Sequence, residues 1–139
     1  MTTLQTKSLW INNSLTCLTT SSGAKTSTPE FFYKSQTQID WHIRDANGNS
    51  VDLSAGTFEF KVASDYNGTT LLSIGDGYFD KTGIATGDIS CIVDLSAAQV
   101  GTLLDKIQKH SAQCSLWCTI AGSNYLLASF EADLYNTIY

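Results

Sequence analysis

Hydrophobic and polar positions alternate along most of this chain. In Gln38–Arg44, Ile39, Trp41 and Ile43 alternate with Asp40, His42 and Arg44, the two-residue period of a strand with one buried face. After Gly56, Phe58, Phe60 and Val62 alternate in the same way with Thr57, Glu59 and Lys61. Between them, Asp45-Ala46-Asn47-Gly48-Asn49 supplies a turn in which Asn-Gly takes positive φ at little steric cost, and the chain continues through Val51-Asp52-Leu53. Two such strands need a second layer over their apolar faces.

The later chain repeats the pattern. Thr70–Ile74 reads as a short edge strand, and Asp88–Asp94 sets Ile89, Cys91 and Val93 against Ser90 and Ile92. In Gln113–Ala121, Cys114, Leu116, Cys118 and Ile120 share one face, with Trp117 on the other. Tyr125–Tyr135 places Leu126, Ala128, Phe130, Ala132 and Leu134 inward against Leu127, Ser129, Glu131, Asp133 and Tyr135, and Ala121–Asn124 joins these last two strands as a hairpin. A further short strand is expected at residues 15–19. One segment changes period: Ser96-Ala97-Ala98-Gln99 has the form of a capping box, and Val100, Leu103, Leu104 and Ile107 follow at helical spacing with Lys106, Lys109 and His110 at the C-terminal end. There is no strand–helix–strand rhythm. The expected fold is mostly β, an antiparallel β-sandwich (immunoglobulin-like or jelly-roll-like) of about seven strands with one inserted α-helix near 96–110. The expected organisation is a Ser/Thr-rich N-terminal arm over 1–30 and the sandwich domain over 31–139.

Composition narrows the partners. The 139 residues suit one domain. Charged residues are only 15% of the chain, against the usual ~25%, so its surface is finished with Ser, Thr, Asn and Gln. The net charge is −5, and the 8 basic residues form no stripe. Nucleic acid, which needs a cationic footprint, is therefore not an expected partner. No apolar run approaches the ~20 residues of a membrane span, and Met1-Thr2-Thr3-Leu4 lacks the basic flank and apolar centre of a secretory signal. Cytosolic synthesis is expected. Cys17, Cys91, Cys114 and Cys118 lack zinc-ligand spacing and read as reduced, buried hydrophobes.

Little in the sequence points to catalysis. His42 lies on the polar side of its strand between Asp40 and Arg44, where Asp40 could stand beside the imidazole, but no nucleophile motif accompanies it. It reads as solvated, and His110 reads as a helix-end charge. Asp76 and Asp80, in the Gly/Asp-rich stretch 75–83, lack the closing Glu of a calcium loop and read as turn residues. Asp40, Asp45, Asp52, Glu59 and Asp65 fall at strand ends and turns. No Walker or Rossmann glycine pattern occurs. No catalytic residue, cofactor or metal is expected.

Binding remains. Trp117, Tyr125, Leu127 and Tyr135 point away from the apolar face of the last hairpin. Either the helix or the N-terminal arm covers them, or they form a subunit interface, where aromatic residues are enriched, or a sugar platform. Trp10, in the apolar cluster Leu9-Trp10-Ile11, either docks on its own domain or reaches a neighbouring subunit.

The segment Ile39–Leu53, an apolar strand followed by Asp45-Ala46-Asn47-Gly48-Asn49-Ser50-Val51-Asp52-Leu53, resembles the opening of a small β-sandwich of bacteriophage virions. The best-known form of that domain is the N-terminal domain of baseplate upper proteins. Thr57–Val62, Leu71-Leu72, Gly87-Asp88-Ile89, the Leu95-Ser96 helix start and a closing hairpin follow in the matching order. The resemblance covers roughly the last hundred residues and leaves out residues 1–30. It implies a non-enzymatic virion subunit linking tail, baseplate or fibre components. Capsid decoration or a head–tail joint is the alternative within that class, and a carbohydrate-binding module using Trp117, Tyr125 and Trp10 is the alternative outside it. The implied partners are other virion proteins and copies of the chain itself, with a host-surface glycan as the alternative. The implied location is the virion, assembled in the host cytoplasm. With no fibre or receptor-binding domain after Tyr139, the chain is expected to act as a free-standing subunit.

Overall fold

The structure is a computed structural model, and it describes residues 5–12, 18–19, 28–45, 47–65, 68–96, 98–105 and 107–136. These form a two-layer β-sandwich. The first sheet contains β1 (Gln5–Asn12), β2 (Leu18–Thr19), β4 (Gln36–Arg44), β7 (Asp80–Gly83) and β8 (Asp88–Asp94), in the order β2-β1-β4-β8-β7. The second contains β3 (Glu30–Phe32), β5 (Thr57–Ala63), β6 (Thr70–Ile74), β9 (Lys109–Ile120) and β10 (Ser123–Tyr135), in the order β3-β10-β9-β5-β6.

The alternation seen in sequence becomes the two faces of each sheet. Ile39, Trp41 and Ile43 from β4 and Phe58, Phe60 and Val62 from β5 are all buried in one core. The Trp41 ring meets those of Phe60 and Phe130 at 5.4 and 6.0 Å, joining the layers. Cys114, Leu116 and Cys118 lie side by side in that core, as their spacing predicts. Burial raises all three described thiols; Cys91 is pushed up to about 11, so the thiolate needed for reaction is suppressed. Cys17 lies outside the described residues.

The crossing from β4 to β5 uses the residues that carry the resemblance. The Asp45 carboxylate accepts hydrogen bonds from the Asn47 and Asn49 N–H groups, both at 2.9 Å, while Gly48 takes φ +81°. Asp52 accepts from the Ser54 N–H at 2.9 Å, and buried Leu53 donates its N–H to the Ile84 carbonyl at 3.1 Å. Two acidic side chains thus stitch turns, and one leucine anchors the crossing in the core.

Four features differ from the sequence expectation. The sheets are mixed: β1 runs parallel to β4 over eight paired positions, and β3 parallel to β10 over three. The strands number ten among the described residues. Residues 5–12, read as part of an arm, form a strand inside the first sheet and bury Leu9 and Ile11. The helix is short: α1 spans Ala98–Leu103, and Lys109 and His110 belong to β9. Val100 and Leu104 are buried as the helical spacing requires, but Ile107 is 40% exposed. Lys109 pairs with Tyr135 across a long ladder, and that non-local pairing draws the chain out of the helical path. A helix this short gains little on its own. The capping box includes Ala97, and the helix-end charge includes Lys106; both lie outside the described residues. So do residues 15–17 of the expected early strand and Tyr66-Asn67 of the expected turn.

Candidate functional site

The outward face of the second sheet carries a groove of about 490 Å³ lined by Trp117. Register explains its lining. On one side Trp117 pairs with Glu59 of β5, and Thr119 pairs with Thr57. On the other side Trp117 pairs with Leu126 of β10, and Thr119 with Asn124. Residues directly opposite in a sheet share a face, so the indole is framed by side chains from three strands. The Trp117 Nε1–H donates to Ser115 Oγ at 3.1 Å, which fixes the ring, and Thr119 Oγ1 donates to Asn124 Oδ1 at 2.6 Å.

The turn at Gly75-Asp76 also lines the groove. The Asp76 carboxylate accepts from the Phe58 N–H at 2.9 Å and from Lys81 Nζ at 2.9 and 3.0 Å. Burial pushes its pKa up, but the Lys81 and Phe58 hydrogen bonds and the Lys81 charge hold it below the ordinary carboxylate value. Glu59 accepts from Ser73 Oγ at 3.0 Å and stands 3.4 Å from Lys61 Nζ. The two acids are thus matched by two lysines. Asp80 accepts from the Thr82 N–H and hydroxyl, so Asp76 and Asp80 serve the turn expected of them.

The residues expected to flank Trp117 are dispersed. A β-bulge between Leu126 and Ala128 inserts Leu127 as an extra residue, shifting the phase of the strand before it. Leu126, expected inward, lies opposite Trp117; Tyr125 lies opposite Cys118, at the hairpin end of the strand and 52% exposed. Leu127 packs on the core. Tyr135 stacks on Phe32 at 5.4 Å, at the far end of β10. Alternation continues formally through Leu126–Ala128, so nothing local marks the bulge.

Trp10 sits on the opposite layer. It pairs with His42 in the β1–β4 register and stacks on that ring at 4.3 Å, while the Arg44 guanidinium lies 4.7 Å from its centroid. The carboxylate beside His42 is Asp88, not Asp40: His42 Nδ1–H donates to Asp88 Oδ1 at 2.8 Å, and Arg44 Nη2 donates to the same oxygen at 2.9 Å. Asp40 instead accepts from Gln38 at 2.8 Å. The cause is register, since His42 pairs directly with Asp88 of β8. His110, in β9, has its Nε2 2.7 Å from the Ser64 carbonyl, so that nitrogen carries the proton. Its role is to tie a turn to the sheet.

No protein-family model matches the chain, and no curated protein matches it. Among solved structures, it is similar to the N-terminal domain of phage TP901-1 ORF48, at 12% identity and a TM-score of 0.44, with 98% of each chain covered.

Two exposed apolar residues lie outside the expected contact set. Tyr78 is 82% exposed and lies just before β7; Ile92 is 45% exposed on the outward face of β8. Asp80 pairs with Ser90, so both residues lie at the same end of the β7–β8 pair. Ile92 falls in the polar phase of its strand, the one signal that could have marked it. The groove residues Glu59, Asp76 and Asn124 carried no signal, because only the pairing of β5, β9 and β10 brings them to Trp117.

Proposed function

We propose that the chain is a non-enzymatic structural subunit of a bacteriophage virion, linking tail, baseplate or fibre components. The observation that carries this reading is the job done by Asp45–Leu53. The residues through which the sequence resembles the virion sandwich are those that turn the chain and carry it between layers, with Asp45 and Asp52 committed to backbone N–H groups. They build the domain and leave its outside to make contacts. That outside is low in charge, with Tyr78, Ile92 and Tyr125 exposed. Subunits repeated by symmetry use one such patch many times, which suits copies of the chain and other virion proteins as partners.

Mass spectrometry of purified phage particles tests the proposal. The chain should be present in a fixed ratio to the other particle proteins and should persist through density-gradient purification. A chain found only in the soluble fraction of the lysate would overturn it.

A further inference from the structure

From the groove around Trp117 we infer a binding site for a neutral oligosaccharide. Three observations converge. First, the indole N–H is already engaged by Ser115, so what the side chain offers a ligand is its apolar face. Such a surface suits the C–H-rich face of a pyranose ring, which buries apolar area without needing a polar partner. Second, hydroxyl-directed groups line the same groove: the Glu59 carboxylate, the Asn124 amide and the Thr119 hydroxyl from three adjacent strands, with the Asp76 carboxylate. Sugar hydroxyls both donate and accept, and this set provides partners for both.

Third, each acid at the groove is paired with a lysine. Glu59 stands beside Lys61, and Asp76 is held by Lys81. A phosphate, a nucleic acid or a strongly acidic glycan would need surplus positive charge, and the groove has none. Its volume of about 490 Å³ falls within the roughly 300–1,000 Å³ of small-ligand sites. Trp10 takes no part, because its ring lies on the other layer against His42 and Arg44. Tyr125 is out of phase with Trp117. The site therefore rests on one aromatic platform, which implies weak affinity for a single copy. Display in several copies would raise the apparent affinity roughly 10²–10⁴-fold.

The test uses the full chain and a panel of neutral oligosaccharides built from glucose, galactose, rhamnose and N-acetylglucosamine, followed by NMR of the three tryptophan indole N–H groups. At least one oligosaccharide should shift the Trp117 signal saturably, leaving those of Trp10 and Trp41 in place. Trp117→Ala should weaken binding about tenfold or more. Asn124→Ala, at an exposed position at the start of β10, should weaken it several-fold. Absence of any shift at about 20 mM sugar would overturn the inference, as would undiminished binding by both variants. Binding confined to acidic glycans and abolished by salt would overturn it too. The inference does not depend on the virion proposal: a chain absent from particles that still binds sugar removes only that proposal, and a particle protein that ignores every sugar removes only this one.

Discussion

Asp88 joins three polar side chains on the outward face of the first sheet. One oxygen accepts from His42 and Arg44, and the other accepts from the Thr86 hydroxyl at 2.8 Å. Burial pushes its pKa up, and the hydrogen bonds from His42, Thr86 and Arg44, with the Arg44 charge, outweigh this and leave it lowered. A carboxyl depressed on folding adds stability above its unfolded pKa, and that contribution is lost as pH falls through the folded value. The window therefore lies below about pH 4. Asp88→Ala should cost about 1–2 kcal/mol at neutral pH, because Arg44 and His42 lose their shared acceptor at a partly solvated site. Urea denaturation across pH should show the gap between variant and parent closing below pH 4. A gap unchanged from pH 7 to about pH 2.5 would show that the carboxylate's charge contributes nothing.

Among elements, the turn into β8 is tightly constrained by a positive φ and close backbone contacts. Gly87 adopts φ +79°, its carbonyl accepts from the Ile43 N–H at 2.9 Å, and an added Cβ would lie 2.4 Å from the Ile43 oxygen and 3.0 Å from that of Val51. The turn, the end of β4 and the crossing toward β5 thus converge where only hydrogen fits. Gly122, in the β9–β10 hairpin, has nearly the same φ, +81°, but open space around it. Gly87→Ala should therefore cost roughly 2–4 kcal/mol, against about 1 kcal/mol for Gly122→Ala. Equal losses in denaturant titrations would mean that backbone angle alone, not crowding, sets the requirement. These elements also show what the sequence exposes and what it hides. Strands β4, β5, β8 and β9 were legible because each has one core face, and the two-residue period records that directly. Helix α1 was overextended because Ile107 continues a helical spacing that pairing of Lys109 with Tyr135 overrides. Gly101 gave no warning, although its missing side chain lets the helix lie against Tyr33, whose hydroxyl would stand 2.5 Å from a Cβ there. In the groove, Trp117 could be found from its phase, but its neighbours could not, since strand order across a sheet has no local trace.

For the whole molecule, the decisive hidden feature is β1. Thr6, Ser8 and Lys7 disguise a strand whose only buried apolar residues are Leu9 and Ile11, and its partner β4 begins more than twenty residues later. A parallel pairing over that separation leaves no turn motif to read. Its energetic weight is nonetheless large. Burying a leucine and an isoleucine contributes about 1.5–3 kcal/mol each, and removing β1 would also bare one edge of β4, whose side chains include Trp41 at the centre of the core. Against a total stability of about 5–15 kcal/mol, a loss of roughly 3–6 kcal/mol from those two side chains alone is a substantial share. A chain beginning at residue 31 should therefore be markedly destabilised or aggregate through the exposed β4 edge, and Leu9→Ala with Ile11→Ala in the full chain should reproduce most of the stability loss without baring the edge. Thermal unfolding and light scattering distinguish the two contributions: both altered chains should unfold at lower temperature, and only the shortened one should aggregate before it unfolds. A shortened chain as stable as the full one would show that residues 1–30 are an appendage and that the sandwich closes without them.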